Sequence, residues 1–373
     1  MLKPFKGIRF KKNTTQNGIP PISLPYDKIT PEQYEIYLKN PYNIARIILP
    51  GGFDRRDYEL AKLTYEEFIQ QGVLKIDPEP GYYIYQVEFE VGGRKYKRTH
   101  VIGILKLPED GESYIFPHER TFPKVVEDRL NLLRATQVNF GQVFLLTDSC
   151  RDFESFIEGE PEIYTLHREV HTVWYVRRQD IEDCFRNGKF VIADGHHRFK
   201  TALLYRDEMR KKYGHEGPYN YRMVTVASIY DPGVVILPTH RAVSWKVPVP
   251  RNAKKFASID ELKKFMEDNK RSIGIITEDG IFGLLYNEEL TGPEYLEINF
   301  LRDSREVRYF REIEEGISML KRSEAGTLFI LNPPDVETVW KYAVSGKLLP
   351  EKSTDFYPKV PTGLVLFDLK RSV

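Results

Sequence analysis

One stretch constrains this chain more than any other: Lys189-Phe-Val-Ile-Ala-Asp-Gly-His-His-Arg-Phe-Lys-Thr-Ala-Leu-Leu-Tyr205. Its first part, Phe190 to Ala193, is apolar and rich in β-branched residues, which predicts a buried strand, and Asp194-Gly195 breaks it. From His197 the period changes: Phe199, Ala202, Leu203, Met209 and Tyr213 fall on one side of a 3.6-residue repeat, and Gly214 supplies a stop. Strand, tight turn and helix N-terminus follow directly. At such a junction backbone N–H groups outside the helical ladder, together with the helix dipole, favour an anion.

A chain of 373 residues predicts about two domains. No run reaches the roughly 18–20 apolar residues of a membrane span, and the N-terminus lacks a signal-peptide apolar region, so the expected location is cytoplasmic. Cys150 and Cys184 form neither a C-x-x-C pair nor a zinc ligand set, and they read as buried thiols. The net charge of +1 creates no global field for nucleic acid. The basic start, with Lys3, Lys6, Arg9, Lys11 and Lys12, reads as a solvated edge.

Along the chain, Thr30-Pro31 with a first-turn glutamate completing a capping box predicts a helix ending near Asn40-Pro41. Ile44 to Leu49 reads as a strand, Asp57 to Gln71 as an amphipathic helix, and Tyr82–Phe89 with Tyr96–Leu107 as a hairpin across Gly92-Gly93. Tyr114–Phe116 and Gln142–Leu146 read as further strands, a helix is expected through Leu130 and Leu133, and Tyr164–Val176 is mixed. Tyr221–Tyr230 and Val234–Leu237 are expected to pair around Asp231-Pro-Gly233. The polar, proline-punctuated segment 248–255 is the expected linker between an α+β region, 1–247, that holds the central motif and a C-terminal α+β domain, 256–373. Strands and helices mix without strict alternation, which predicts α+β with mixed sheets.

Four polar clusters fall where elements end. In Asp194-Gly-His-His-Arg198, Gly195 lets backbone approach a phosphate, Arg198 can fork onto phosphate oxygens, and His196 or His197 can contact ligand or move a proton. A capping turn also explains Asp194-Gly195, but two histidines and an arginine at a positive helix end oppose the dipole preference. In Pro117-His118-Glu119-Arg120-Thr121, Glu119 beside His118 has the character of a general base, or of one half of a surface ion pair. Pro238-Thr-His240-Arg241 is a similar but weaker cluster.

The fourth cluster is Lys352-Ser353-Thr354 with Lys359. Gly346 to Ser353 nearly matches a P-loop, but Glu351 replaces the second glycine and Pro350 removes an amide, so that reading is rejected. His167 and His171 are spaced for one helix face, yet no third zinc ligand accompanies them and no protein-bound metal is expected.

With these clusters in place, the chain resembles the family catalogued as domain of unknown function 1015. The likeness rests on Pro25-Tyr26-Asp27, Asn40-Pro-Tyr-Asn43, Pro117-His-Glu119, Asp128–Thr136, Asp194–Arg198, Pro238–Arg241, Lys352–Thr354 and Pro358-Lys359. It makes Tyr26, Asp27, His240 and Arg241 secondary site residues. Over about 25 residues the central motif is also similar to the strand–turn–helix of the ParB/sulfiredoxin superfamily, which implies a core of that kind with additional α+β subdomains and nucleotide phosphates at the turn. His196 stands where sulfiredoxins carry their reactive cysteine, and no helix-turn-helix of the partition proteins follows residue 215, so the free-serine kinase branch is the one implied.

The expected function is therefore a nucleotide-dependent phosphotransferase acting on serine or another small hydroxyl compound. ATP, ADP or pyrophosphate with Mg²⁺ would serve, Glu119, His118 and His196 would be catalytic, and Asp194, Gly195, His197, Arg198, Lys352, Ser353, Thr354 and Lys359 would bind phosphate or nucleotide. No membrane or nucleic-acid partner is expected. The alternatives are a nucleotide-responsive ParB-like regulator binding nucleic acid, and a metal-dependent hydrolase.

Overall fold

Gly92 and Gly93 adopt φ of +57° and +76°, the left-handed pair that a two-residue hairpin loop demands, and the chain folds back with Val91 opposite Arg94. The resulting hairpin, Tyr82–Val91 and Arg94–Lys106, is the centre of the larger sheet in the computed structural model. The structure describes residues 1–118, 123–286, 290–301 and 306–372, and the side chains of all these except residues 123 and 124.

The chain divides into two compact units, Met1–Val234 with Pro358–Val373, and Val235–Tyr357. Segment 248–255 lies within the second. Both units mix helices and sheets, so the fold is α+β. In the first unit the strands run in the order Ile115–Phe116, Phe190–Asp194, Val143–Thr147, Tyr221–Ser228, Arg94–Lys106, Tyr82–Val91, Glu169–Val176, Glu162–Leu166, with Leu2–Lys3 joining Arg94–Lys106. Two pairings are parallel, Phe190–Asp194 with Ile115–Phe116 and Tyr221–Ser228 with Val143–Thr147, and the others are antiparallel.

Ile84, Val101, Val143, Leu145, Phe190, Ile192, Val224 and Val226 fill one face of this sheet. Tyr83, Tyr85, Arg98, His100 and Phe144 are buried on the other. Burial on both faces is why these strands read as near-continuous apolar runs. Each buried large apolar side chain contributes about 1.5–3 kcal/mol.

Helix Tyr58–Gln70 is capped by Asp57, whose side chain accepts from Leu60 N, and Gly72 follows it at φ +66°. The capping box of helix Pro31–Leu38 forms, but its reciprocal partner is Gln33 at the third helical position, not a glutamate. The C-terminal segment returns to this unit. Ser23 and Thr362 exchange backbone bonds of 3.1 and 2.9 Å, and Gly363 N bonds Phe140 O at 3.1 Å.

Several expectations are corrected. Ile44–Leu49 contains a short helix, Ala45–Ile48, because the Asn43 side chain accepts from Ala45 N at 2.8 Å and starts a turn where the apolar run alone suggested extension. Tyr164–Val176 lies in the hairpin Glu162–Leu166/Glu169–Val176, with His167 at φ +56° in its turn, so His167 and His171 do not share a helix face. Their partners are separate: His167 Nε2 meets Tyr37 OH at 3.1 Å and His171 Nδ1 meets Tyr85 OH at 2.9 Å.

Tyr221–Ser228 pairs with Arg94–Lys106 and Val143–Thr147, while Val235–Leu237 pairs with Asp355–Tyr357, in place of the local hairpin expected. Cys150 and Cys184 are not free thiols; they form a disulfide with Cα atoms 5.5 Å apart, joining segments 34 residues distant.

Besides the pair Val235–Leu237 and Asp355–Tyr357, the second unit holds a sheet whose described strands are antiparallel, in the order Lys254–Phe256, Gly280–Leu285, Ser272–Thr277, Thr327–Leu331, His240–Val243, Val307–Phe310. Successive residues alternate between two apolar clusters, Leu328 and Ile330 in one and Phe329 and Leu331 in the other, so this sheet too is buried on both faces. Among the described residues no helix is long and apolar enough to cross a membrane.

Candidate functional site

The apolar strand Phe190–Asp194 ends in a turn where Gly195 takes φ +94°, and helix His196–Tyr213 begins at once, without a side-chain cap. The side chains of this turn decide why glycine is needed. A Cβ on Gly195 would lie 3.0–3.1 Å from the Arg198 guanidinium, which folds back over the turn. The buried helix face is His196, Thr201, Ala202, Tyr205 and Arg206, rotated from the expected stripe, and Tyr213 is exposed. The helix packs against the neighbouring helix Pro123–Thr136 as well as the sheet, which a single apolar stripe did not reveal.

Asp194 does not cap this helix. Its Oδ2 accepts from Arg198 Nη2 at 2.5 Å and its Oδ1 from Lys359 Nζ at 3.0 Å. Burial opposes ionisation of this carboxyl, but Lys359, Arg198 and, at the edge, Lys28 outweigh it and hold the group well below the usual carboxylate range. Arg198 is anchored further by donating to Gln142 O. Both cations therefore converge on one carboxylate at the turn. No acidic residue occupies the first helical turn, and the N–H groups of His196, His197 and Arg198 precede the first helical bond, Phe199 N to Gly195 O at 2.9 Å.

His196 is buried, and desolvation, with His118 adding to it, pushes its pKa well below the ordinary histidine value. Its Nε2 accepts from His118 N at 3.4 Å, and the two rings meet edge to face at 4.7 Å. A bond of 2.6 Å links His118 Nδ1 to Ile192 O, so Nδ1 carries the proton. His118 is therefore locked beside the motif strand. Glu119, its expected catalytic neighbour, lies outside the described residues.

Tyr26 opens a short helical turn, Tyr26–Lys28, in which Asp27 is exposed. The Arg129 guanidinium stands 4.0 Å from the Tyr26 ring centroid and is paired with Asp128. Tyr26, Arg129 and Arg198 line one cavity together with Arg222, Gly141 and Thr362. Lys359 reaches the turn because the C-terminal segment belongs to this unit.

The remaining sequence-predicted residues belong to the second unit. Arg241 donates to Thr239 O at 2.8 Å and to Glu351 O at 3.2 Å, which orders the turn carrying Lys352 at φ +55°. Ser353 Oγ donates to Pro350 O at 2.5 Å, and Thr354 leads into strand Asp355–Tyr357. The His240 Nδ1 accepts from Leu331 N at 3.2 Å, and burial pushes this histidine down to about 4. Among the described residues no group of three or more His, Cys, Asp and Glu is arranged to hold a metal ion.

Sequence reasoning assigned no role to Arg222, Arg129 or Gln142. A signal for Arg222 existed: it precedes Val224 and Val226 at the spacing of one strand face, a charge in an apolar row.

A family model described as a protein of unknown function, DUF1015, matches residues 2–308. The chain belongs to this family. No curated protein matches it. Among solved structures, it is similar to a conserved hypothetical protein from Pyrococcus furiosus, with a TM-score of 0.36 and 16% identity over 70% of this chain and 95% of that one. A free serine kinase in complex with AMP gives a TM-score of 0.36 and 15% identity over 70% of this chain and 92% of that one. SbnI with a C-terminal truncation, from Staphylococcus aureus, gives 0.37 and 12% over 70% and 85%. Likenesses this distant assign no ligand or activity to the DUF1015 chain.

Proposed function

We propose that this DUF1015 protein is a nucleotide-dependent phosphotransferase acting on a small hydroxyl-bearing molecule, serine being one such acceptor. The observation that carries the reading is the turn itself, where Arg198 and Lys359 converge on Asp194 at the uncapped start of an 18-residue helix. Asp194 orients the two cations, and the amides at the uncapped helix start beside them suit nucleotide or pyrophosphate oxygens. Asp194 is already paired with both cations, so no Mg²⁺ ligand is assigned to it; Mg²⁺ would travel with the phosphates and neutralise their charge.

In this scheme Glu119 takes the proton of the acceptor hydroxyl as that oxygen bonds phosphorus and the bond from phosphorus to the bridging oxygen of the donor breaks. His118 and His196 position that turn. Asp27, exposed in the short turn that Tyr26 opens, is proposed as a secondary contact.

The test is calorimetric titration of ATP, ADP and pyrophosphate, then phosphorus NMR of turnover with a panel of hydroxyl metabolites, on the natural protein, Arg198→Ala and Glu119→Gln. The expected result is nucleotide binding weakened by Arg198→Ala and turnover lost in Glu119→Gln with binding retained. Unchanged binding and turnover in both variants would sink the assignment.

A further inference from the structure

Two arginines of the first unit are anchored on consecutive carbonyls. Arg222 Nη2 donates to Gly141 O at 2.6 Å, and Arg198 Nη1 donates to Gln142 O. Both arginines line the same cavity, of about 60 Å³, with Tyr26, Arg129, Thr362 and Leu133 among its other lining residues. The charges there are unequally matched. Arg198 has Asp194 and Arg129 has Asp128, whereas no carboxylate among the described residues lies within ion-pairing distance of Arg222. Arg222 is only 6% exposed, and its Nε–H is buried without a hydrogen-bond partner.

A buried guanidinium with an unmatched charge and an idle donor is costly, and the simplest relief is an anion. Burial, with Arg198 adding to it, pushes Arg222 down to about 9. Size restricts the occupant. A water position needs roughly 10–15 Å³ on this measure and whole-ligand pockets run to about 300 Å³ or more, so the cavity suits a single oxyanion group and not a nucleotide.

We propose that this cavity is an oxyanion subsite in which Arg222 and Arg198 clamp a carboxylate or phosphate group of a small molecule. The planar fork of Arg222 would supply Nε–H to one oxygen, and Arg198 would tie the subsite to the Asp194 turn it also anchors. If the proposed phosphotransferase reading holds, the acceptor is an anionic hydroxyl compound; that clause alone rests on the reading.

The experiment titrates the full chain, labelled with ¹⁵N-arginine, with acetate and separately with inorganic phosphate, and follows the Arg222 Nε–H resonance, assigned by its loss in Arg222→Lys. A saturable shift is expected with at least one probe, the tighter one naming the group. Arg222→Gln, checked for native circular dichroism and thermal unfolding, should weaken that probe about tenfold or more.

No saturable shift with either probe overturns the subsite, as does a folded Arg222→Gln variant that binds like the natural protein. ATP titrated into the same samples separates the two ideas. ATP binding without oxyanion binding defeats only the subsite, and oxyanion binding without ATP binding supports the subsite and defeats the nucleotide reading.

Discussion

Lys359 Nζ lies 3.0 Å from Asp194 Oδ1, although 165 residues separate them in sequence. The pair ties the returning C-terminal segment to the end of the motif strand, and Arg198 takes the other oxygen of the same carboxylate at 2.5 Å. The Asp194 turn is thus held by one cation from its own helix and one from the C-terminal segment.

Lys359→Met should destabilise the protein by about 2 kcal/mol, below the ~3–5 kcal/mol of a fully buried pair, because Arg198 remains and the Lys359 and Asp194 side chains are 12% and 22% exposed. The same change should weaken nucleotide binding by removing a cation from the turn. Urea unfolding and calorimetry read the two effects separately.

Asp194→Asn should alter the acid limb of stability. The folded-state pKa of Asp194 lies below its unfolded value of about 3.9, so its contribution is fully present above that pH and is lost as pH falls toward the folded value. The stability difference between the natural protein and the variant should be constant from neutrality to about pH 4 and shrink below it. Urea midpoints at a series of pH values measure it; a difference that grows on acidification contradicts the pairing.

Gly195→Ala should cost about 1–3 kcal/mol, since φ is +94° and the new Cβ meets the Arg198 guanidinium. Gly92→Ala, also at positive φ but with nothing within 4 Å, isolates the backbone cost at about 1 kcal/mol. Only the change at 195 should also lower phosphate or nucleotide affinity, because only there is the guanidinium proposed to bind phosphate displaced.

Much of this framework was legible locally. The β-branched run from Phe190, the Asp194-Gly195 break and the Gly92-Gly93 turn each carry their structure within a few residues, as does the Thr30 cap. What escaped depends on distant partners. Nothing near Asp194 announces Lys359, and nothing near Cys150 announces Cys184. Ile44–Leu49 went the other way: its apolar run fits a strand, but an Asn43 side-chain bond fixes a helical turn. Arg222 was visible as a charge in the Val224–Val226 row, yet only three-dimensional burial shows that no carboxylate among the described residues answers it.

His196 supplies the sharpest pH prediction. Burial lowers its pKa first, the neighbouring His118 next, and His197 and Lys359 add to this; Asp194 opposes them but faces two cations of its own. His100 and His171, buried in the same unit, are depressed in the same direction. Unfolding releases each to about 6.5, so as pH falls below that value the unfolded chain binds protons that the folded chain refuses, and stability declines. Each histidine contributes a slope of about 1.4 kcal/mol per pH unit, and the three together about 4 kcal/mol per unit, once the pH is well under 6.5 and still above the folded values. His196→Gln should remove about one proton from the uptake measured on unfolding between neutral pH and pH 5, leaving the uptake due to the other depressed histidines, His100, His171 and His240. An unchanged proton uptake in that variant would show that His196 is charged in the folded protein, and its acceptor bond from the His118 N–H could not then exist as described.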